Sequence, residues 1–165
     1  MCGIFGCVHN SNYKFNINEF NEKNKINSNR GPDKFKSQEV LINNLRIKFG
    51  HTRLSILDLS ENGNQPMTSS SGRFLITYNG EIYNHIYLRK KIEETNVINW
   101  KSSSDTETLL ELFEIYEIKE ILNIVEGMFA FAILDKKYNK LFFARDRVGE
   151  KPFYIYCDTN NISFS

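Results

Sequence analysis

The chain has 165 residues and a mass of 19.3 kDa, a length typical of one compact domain. Hydrophobic residues make up 41% of it and charged residues 25%, which disfavours a disordered or fibrous protein. The 21 basic and 20 acidic residues are dispersed, and no apolar run is long enough to span a bilayer. We therefore expect a small ligand, and neither a nucleic-acid nor a membrane partner.

The cysteines indicate a reducing compartment. Cys2, Cys7 and Cys157 form no closely spaced pair and leave one thiol over from any disulfide, so we expect a cytoplasmic protein. Their spacing from the three histidines does not fit a metal site, and we expect none. Cys7 and Cys157 are interpreted as small buried hydrophobic residues.

The first half of the chain is predicted to be mainly strands. A largely apolar run over residues 4–9 predicts a buried strand at the very start. Residues 10–29, rich in asparagine and lysine, predict a polar loop followed by an irregular or short amphipathic helix. Strands are predicted over residues 39–49 and 51–59 around Gly50, followed by a polar loop from Ser60 to Gly72.

The second half mixes helices and strands in blocks. Residues 74–78 alternate as a strand that ends at Asn79-Gly80, and residues 85–95 fit a helix. Ser104 with Glu107 predicts a capping box ahead of a second helix that continues to Tyr116. Further strands are predicted over residues 128–134, 141–144, 153–157 and 161–165. The run over 128–134 is apolar on both faces, which favours an α+β fold that covers it on both sides.

Cys2 is the most informative residue for chemistry. Removal of the initiator methionine would place its thiol and a free α-amine on one residue. An α-amine has a pKa of about 8, so it can accept the thiol proton near neutral pH. Gly3 lets the backbone approach a ligand closely. Taken alone, however, a cysteine after methionine is more simply interpreted as a buried terminal residue.

The context of Cys2 resembles a known family. The motifs that carry the resemblance occur in order: Met1-Cys2-Gly3-Ile4, Arg30-Gly31-Pro32-Asp33, His51-Thr52-Arg53-Leu54-Ser55-Ile56, Asn79-Gly80-Glu81-Ile82-Tyr83-Asn84, Ser104-Asp105-Thr106-Glu107 and Gly127-Met128-Phe129-Ala130-Phe131-Ala132. Together they resemble a class II glutamine amidotransferase domain. The proline of the second motif and the stretch from Ala144 to Tyr154 are most similar to the N-terminal domain of glutamine-hydrolysing asparagine synthetases.

This resemblance implies a fold and an activity. The implied fold is the four-layer αββα sandwich of N-terminal-nucleophile hydrolases, with two antiparallel sheets, and one glutaminase domain over residues 1–165. The implied activity is hydrolysis of glutamine to glutamate and ammonia through a γ-glutamyl thioester on Cys2. The ammonia would serve asparagine synthesis from aspartate on a synthetase domain, in cis or in trans, that this chain lacks. The resemblance implies no cofactor here, with ATP and Mg only on that absent domain.

Several alternatives remain open. The same fold could serve as a non-catalytic binding or regulatory module, as an amidotransferase for another ammonia acceptor, or as a peptidase. A homodimer also remains open. The chain ends where this family normally continues into its next domain, so we expect a truncated product or an isolated domain.

The resemblance also assigns the site residues. It implies that the Asn79 side chain and the Gly80 N–H form the oxyanion hole, and that Arg53 binds the α-carboxylate of glutamine. Leu54 and Ile56 are further implied substrate contacts, and Glu81 and Asp105 would bind the α-ammonium group. Without the resemblance, Asn79-Gly80 is more typical of a hairpin turn, Arg53 of a solvated surface arginine and Asp105 of a helix-dipole partner. His51 matches a position without catalytic role, so we expect it to be structural. Arg30 to Asp33 are expected beside the nucleophile, in support or loop closure and without direct chemistry.

Overall fold

A computed structural model of the chain describes residues 2–12 and 17–165, and its strands form two antiparallel sheets. The strands are β1 (Gly3–Asn10), β2 (Lys34–Ile42), β3 (Leu45–Arg53), β4 (Met67–Thr68), β5 (Phe74–Ile82), β6 (Gly127–Asp135), β7 (Lys140–Arg145), β8 (Ile155–Cys157) and β9 (Asn161–Phe164). The first sheet has the order β2-β3-β1-β9-β8, and the second has the order β4-β5-β6-β7.

The helices are α1 (Ile17–Ile26), α2 (His85–Glu93), α3 (Asp105–Ile115) and α4 (Ile118–Ile124), with short 3-10 turns at Asn27–Arg30 and Glu61–Gly63. Because side chains alternate between the two faces of a strand, β5 and β6 contribute side chains to two separate hydrophobic cores. Leu75 and Leu134 pack against the first sheet, whereas Ile76 and Ile133 pack against α2, α3 and α4. Helix α1 covers the outer face of the first sheet, where the rings of Phe5 and Phe20 lie 5.0 Å apart. The layers are therefore αββα, as predicted.

Two predicted strand boundaries were wrong. The break at Gly50 does not exist, because Gly50 lies inside β3, paired with Phe5 and Ser37. The hairpin turn falls instead at Asn43, which adopts a φ of 53°, a conformation that asparagine tolerates. Residues 54–59 are not a strand. They begin an irregular loop that reaches Pro66, and this loop forms one wall of the site.

The end of the next strand was also misplaced. β5 does not stop at Asn79-Gly80 but runs to Ile82, with Asn79 opposite Ala130 and Gly80 opposite Phe129. The hairpin-turn interpretation of Asn79-Gly80 is therefore wrong. The strand predicted over residues 153–157 is shorter in the structure. It comprises Ile155–Cys157, and Tyr154 before it still exchanges two backbone hydrogen bonds with Ser165.

The helix predictions were closer. The helix over 85–95 is present as His85–Glu93, and the Ser104 hydroxyl caps α3 by accepting the Glu107 N–H. The capping box is only half formed, because the Glu107 carboxylate accepts from Lys101 and Ser102 instead. Helix α4 was not predicted.

Cys7 is buried, but Cys157 is exposed, so the interpretation of Cys157 as a buried residue was wrong. Residues 13–16 of the predicted polar loop lie outside the described residues. Within the described part of the chain, no helix is long and apolar enough to cross a membrane.

Candidate active site

The thiol of Cys2 lies beside the end of β3. Gly3 pairs with Thr52, so the residue before β1 meets the residue after β3. The Leu54 N–H donates to Cys2 Sγ over 3.4 Å, and Arg30 Nε donates to the Cys2 carbonyl oxygen over 3.2 Å. Burial raises the pKa of the Cys2 thiol above its usual range, and the Leu54 hydrogen bond only partly opposes this. The surroundings of Cys2 therefore favour the neutral thiol over the thiolate.

Cys2 opens onto a cavity of about 100 Å³ at the edge of the second sheet. The structure brings every predicted site residue to its wall: Cys2, Arg53, Leu54, Ile56, Asn79, Gly80, Glu81 and Asp105. The cavity thus combines a nucleophile, a guanidinium group and two carboxylates, although these residues are far apart in the sequence.

The open edge of β5 supplies a free peptide donor. Alternate N–H groups of this strand face away from β6. Of these, Tyr78 N donates to Gln65 Oε1 over 2.7 Å, and Ile82 N donates to Asp105 Oδ2 over 2.9 Å. Gly80 lies between them, and the backbone of its partner Phe129 bonds to Asp146 on the other side of β6. In the described part of the chain, the Gly80 N–H therefore has no acceptor and faces the cavity.

The Asn79 side chain faces the first sheet. It follows Thr77 on the same face of β5, and the Thr77 hydroxyl donates to the Gly50 carbonyl oxygen of β3. Asn79 lines the cavity next to Cys2, and its amide makes no hydrogen bond within residues 2–12 and 17–165. Two hydrogen-bond donors, one from a side chain and one from the backbone, are thus available near the thiol.

Arg53 is not a solvated surface arginine, since only 7% of it is exposed. Its Nη1 donates to Ser60 O over 2.7 Å and to Asn64 Oδ1 over 2.8 Å, and its Nη2 donates to Asp58 O. These bonds leave the Nε–H and one of the two Nη2 hydrogens without an acceptor among the described residues, and Nε and Nη2 share one edge of the guanidinium plane. This edge is a fixed two-donor fork of the kind that binds a carboxylate.

Asp105 is held at the first turn of α3. Its Oδ2 accepts from Tyr78 Oη over 2.6 Å and from Ile82 N, which leaves Oδ1 without a partner among the residues that the structure describes. Burial and the neighbouring Asp105 carboxylate raise the pKa of Tyr78 well above its ordinary value, so Tyr78 remains a neutral donor. Together with Glu81 on β5, Asp105 gives this end of the cavity negative charge, which suits an ammonium group.

His51 also lines the cavity, but its electrostatics do not favour a role as a base. Burial lowers the pKa of His51 to about 3. Its Nε2 lies 3.2 Å from the Tyr78 carbonyl oxygen, so Nε2 carries the hydrogen of the neutral ring. Nδ1 is buried and has no partner in the described part of the protein. This environment agrees with the structural role expected for His51, which stays a prediction.

The segment from Arg30 to Asp33 lies beside the nucleophile. Besides the Arg30 bond to Cys2, Asp33 Oδ2 accepts the Ser55 N–H over 2.8 Å and thereby fixes the start of the loop after β3. These contacts agree with a supporting role for this segment, which stays a prediction.

Several residues that line the cavity were not predicted as site residues, among them Asp58, Gln65 and Lys151. Gln65 joins β5 to α3, because its Oε1 accepts from Tyr78 N while its Nε2 donates to Thr106 Oγ1 over 3.1 Å. Asp58 joins the loop after β3 to Ser103. No spacing in the sequence reveals such contacts, because their partners are 13 to 45 residues away. Among the described residues, no group of three or more acidic, cysteine or histidine side chains could hold a metal ion.

Comparisons with known proteins are consistent with this geometry. Residues 1–165 match the family described as "Glutamine amidotransferase domain". A putative glutamine-hydrolysing asparagine synthetase of Methanocaldococcus jannaschii is 37% identical over 182 residues, which cover 100% of this chain and 34% of that protein. Asparagine synthetase 1 of Bacillus subtilis is 33% identical over 100% of this chain and 26% of its own length. The chain thus spans about a third or less of these relatives.

A solved structure shares the fold. The glutamine phosphoribosylpyrophosphate amidotransferase of B. subtilis, in complex with ADP and GMP, superimposes with a TM-score of 0.76 over 98% of this chain and 41% of that one. The two sequences are 17% identical, so the similarity concerns the arrangement of sheets and helices.

Proposed function

Since the chain belongs to the glutamine amidotransferase domain family, we propose that it hydrolyses free glutamine to glutamate and ammonia with Cys2 as the nucleophile. One observation carries the assignment of roles. One cavity is lined by the Cys2 thiol, by the carboxylates of Glu81 and Asp105, and by the Gly80 N–H and Arg53 Nε–H, which have no acceptor among the described residues. A free α-amino acid with an amide side chain has a complementary group for each of them.

Substrate recognition uses the two ends of the amino-acid backbone. The α-carboxylate binds the Nε–H and Nη2–H edge of Arg53, and Leu54 and Ile56 line the wall next to it. The α-ammonium group binds Asp105 and Glu81. A peptide would lack these free charged groups, which favours a glutaminase over a peptidase.

Activation of Cys2 requires a base, because burial holds its pKa high. We assign this role to the α-amine of Cys2 itself, which becomes free when Met1 is removed. The thiolate attacks the side-chain carbonyl carbon, and the oxygen of that carbonyl becomes an oxyanion. The Gly80 N–H and the Asn79 amide donate to this oxyanion, and such donors each contribute about 2.7 to 4 kcal/mol to transition-state stabilisation.

Collapse of the intermediate breaks the carbon–nitrogen bond. The Cys2 ammonium returns its proton to the departing nitrogen, which leaves as ammonia, and a γ-glutamyl thioester forms on Sγ. A water molecule, deprotonated by the same amine, then attacks the thioester carbonyl carbon. The carbon–sulfur bond breaks, glutamate leaves, and the ammonium returns its proton to Sγ of Cys2. Atoms and protons balance over the two half-reactions, and they require no cofactor.

The use of the released ammonia is proposed from the names of the related proteins. We propose that the ammonia is used to make asparagine from aspartate on a synthetase domain, in cis or in trans, and that ATP and Mg are needed only there. The three free thiols favour a cytoplasmic location. These parts of the proposal rest on the names of relatives that are about three to four times as long as this chain.

The test is a glutaminase assay on protein whose intact mass shows that Met1 is absent. Glutamate release should be lost in Cys2→Ala and retained in Cys157→Ala, a matched control at an exposed thiol. A form that keeps Met1 should be strongly impaired, because its Cys2 nitrogen is an amide. Equal rates for the wild type and Cys2→Ala would exclude the mechanism. Glutamine binding without any glutamate release would identify a non-catalytic module.

A further inference from the structure

The two charged ends of the proposed glutamine site belong to separate parts of the chain. Arg53 ends β3, whereas Asp105 begins α3. We propose that Asp58 is a positioning residue that sets the spacing between these two groups, and thereby the selectivity for a free α-amino acid. This inference rests on the proposed function.

On the carboxylate-binding side, Asp58 acts through the loop after β3. Its backbone carbonyl oxygen accepts from Arg53 Nη2, and its side-chain Oδ1 accepts the Ser60 N–H over 2.7 Å. Ser60 in turn accepts from Arg53 Nη1. The conformation around Asp58 therefore helps to fix the position and orientation of the Arg53 guanidinium group.

On the ammonium-binding side, Asp58 reaches the segment that precedes α3. Its Oδ2 accepts the Ser103 N–H over 2.8 Å, two residues before Asp105. This segment is itself rigidly held, since Glu107 accepts from Ser102 N and Arg89 donates to Ser102 O. A change in the Asp58 contact therefore moves the loop relative to α3, rather than being absorbed by the segment.

Burial and charge both favour this role for Asp58. Only 8% of Asp58 is exposed. The side-chain amide of Asn62 also donates to the segment before α3, at the Lys101 carbonyl oxygen, but Asn62 is exposed. Hydrogen bonds from Ser60 and then Ser103 hold the pKa of the Asp58 carboxyl below its ordinary value despite burial. Asp58 therefore remains an ionised acceptor of two charge-assisted hydrogen bonds, which are stronger than neutral ones.

The test compares Asp58→Asn with a matched control, Asp135→Asn. The asparagine keeps the size of the side chain but places an amide group against one of the two N–H donors. Asp135 is also a buried carboxylate that accepts from two backbone N–H groups, of Lys137 and Tyr138. It lies at the far end of β6 and does not line the cavity. Both variants should lose stability, but only Asp58→Asn should affect substrate recognition.

The readouts separate positioning from folding. In Asp58→Asn, KM for glutamine should rise about tenfold or more, a loss typical of one misplaced charged contact, while kcat changes less than about threefold. The preference for glutamine over glutaramic acid, which lacks the α-amine, should fall by a similar factor. With 6-diazo-5-oxonorleucine, a glutamine analogue that alkylates thiols, the apparent dissociation constant should rise and the maximal inactivation rate should not.

Each outcome has one meaning. A folded Asp58→Asn protein with the KM and selectivity of the wild type overturns the inference, as does an equal change in Asp135→Asn. If Asp58→Asn does not fold, Asp58→Glu keeps the charge on a longer side chain and is judged by the same criteria. A wild-type protein that releases no glutamate refutes the proposed function, and the inference falls with it.

Discussion

Replacing Asn79 by alanine should separate catalysis from stability. The Asn79 amide lines the cavity and makes no hydrogen bond within the described part of the chain, so its removal leaves no partner unsatisfied. We expect the free energy of unfolding to change by less than about 1 kcal/mol. In contrast, the loss of one oxyanion donor should raise the activation barrier by about 2.7 to 4 kcal/mol, which lowers kcat by roughly 100- to 1000-fold.

The assay measures glutamate release under saturating glutamine, together with urea unfolding of the same preparations. Asn96→Ala is the control, because Asn96 follows α2 and its amide donates to a backbone carbonyl away from the cavity. Its kcat should equal that of the wild type. An Asn79→Ala protein with a kcat within about fivefold of the wild type would refute the oxyanion assignment. So would a rise in KM alone, since an oxyanion forms only after substrate has bound.

Other perturbations test the remaining electrostatics and packing. Because the pKa of His51 falls to about 3 in the folded state, the unfolded state binds more protons than the folded state between pH 6.5 and 3. The free energy of unfolding should therefore decrease as the pH is lowered through this range. His51 contributes at most about 1.4 kcal/mol per pH unit to the slope of the unfolding free energy against pH. The variant His51→Gln should have a smaller slope, measured by urea unfolding at several pH values. Equal slopes for the variant and the wild type would contradict the prediction. Gly80→Ala would place a methyl group 2.3 Å from the Met128 carbonyl oxygen, so we expect a loss of about 1 to 3 kcal/mol in thermal unfolding, together with impaired hydrolysis. With Met1 retained, alkylation of Cys2 by iodoacetamide should still accelerate at a pH where the thiol of free N-acetylcysteine has reached its plateau, as mass spectrometry can follow; a plateau at the same pH as this free thiol would argue against a raised pKa of Cys2.

Much of the fold follows from local patterns in the sequence. The apolar run in β6 predicted a strand covered on both sides, and Ser104 predicted the start of α3. The errors have a common physical cause. Gly50 and Asn79-Gly80 are turn-forming residues by propensity, but long-range pairing with β1, β2 and β6 keeps them in strands.

The site was less accessible to local reasoning. Without the resemblance, Arg53 would be assigned to the surface, since nothing near it indicates that the loop after β3 folds back onto its guanidinium. Asp58 and Gln65 carry no motif, because their importance arises from contacts with Ser103 and Tyr78 that only the folded chain forms. Cys2 drew attention because it follows Met1, but only the resemblance favoured a nucleophile over a buried terminal residue.

The brevity of β4 has a consequence for the kind of molecule that fits. β4 pairs with β5 only through Met67 and Thr68, so the ladder between β4 and β5 ends at Ile76, well before Gly80. A carboxamide has the same geometry and polarity as a peptide unit, and its oxygen can take the place of the carbonyl that a longer neighbouring strand would have offered. In the proposed mechanism, a carboxamide bound to the Gly80 N–H would extend the sheet by one hydrogen bond, of the same kind that joins its strands.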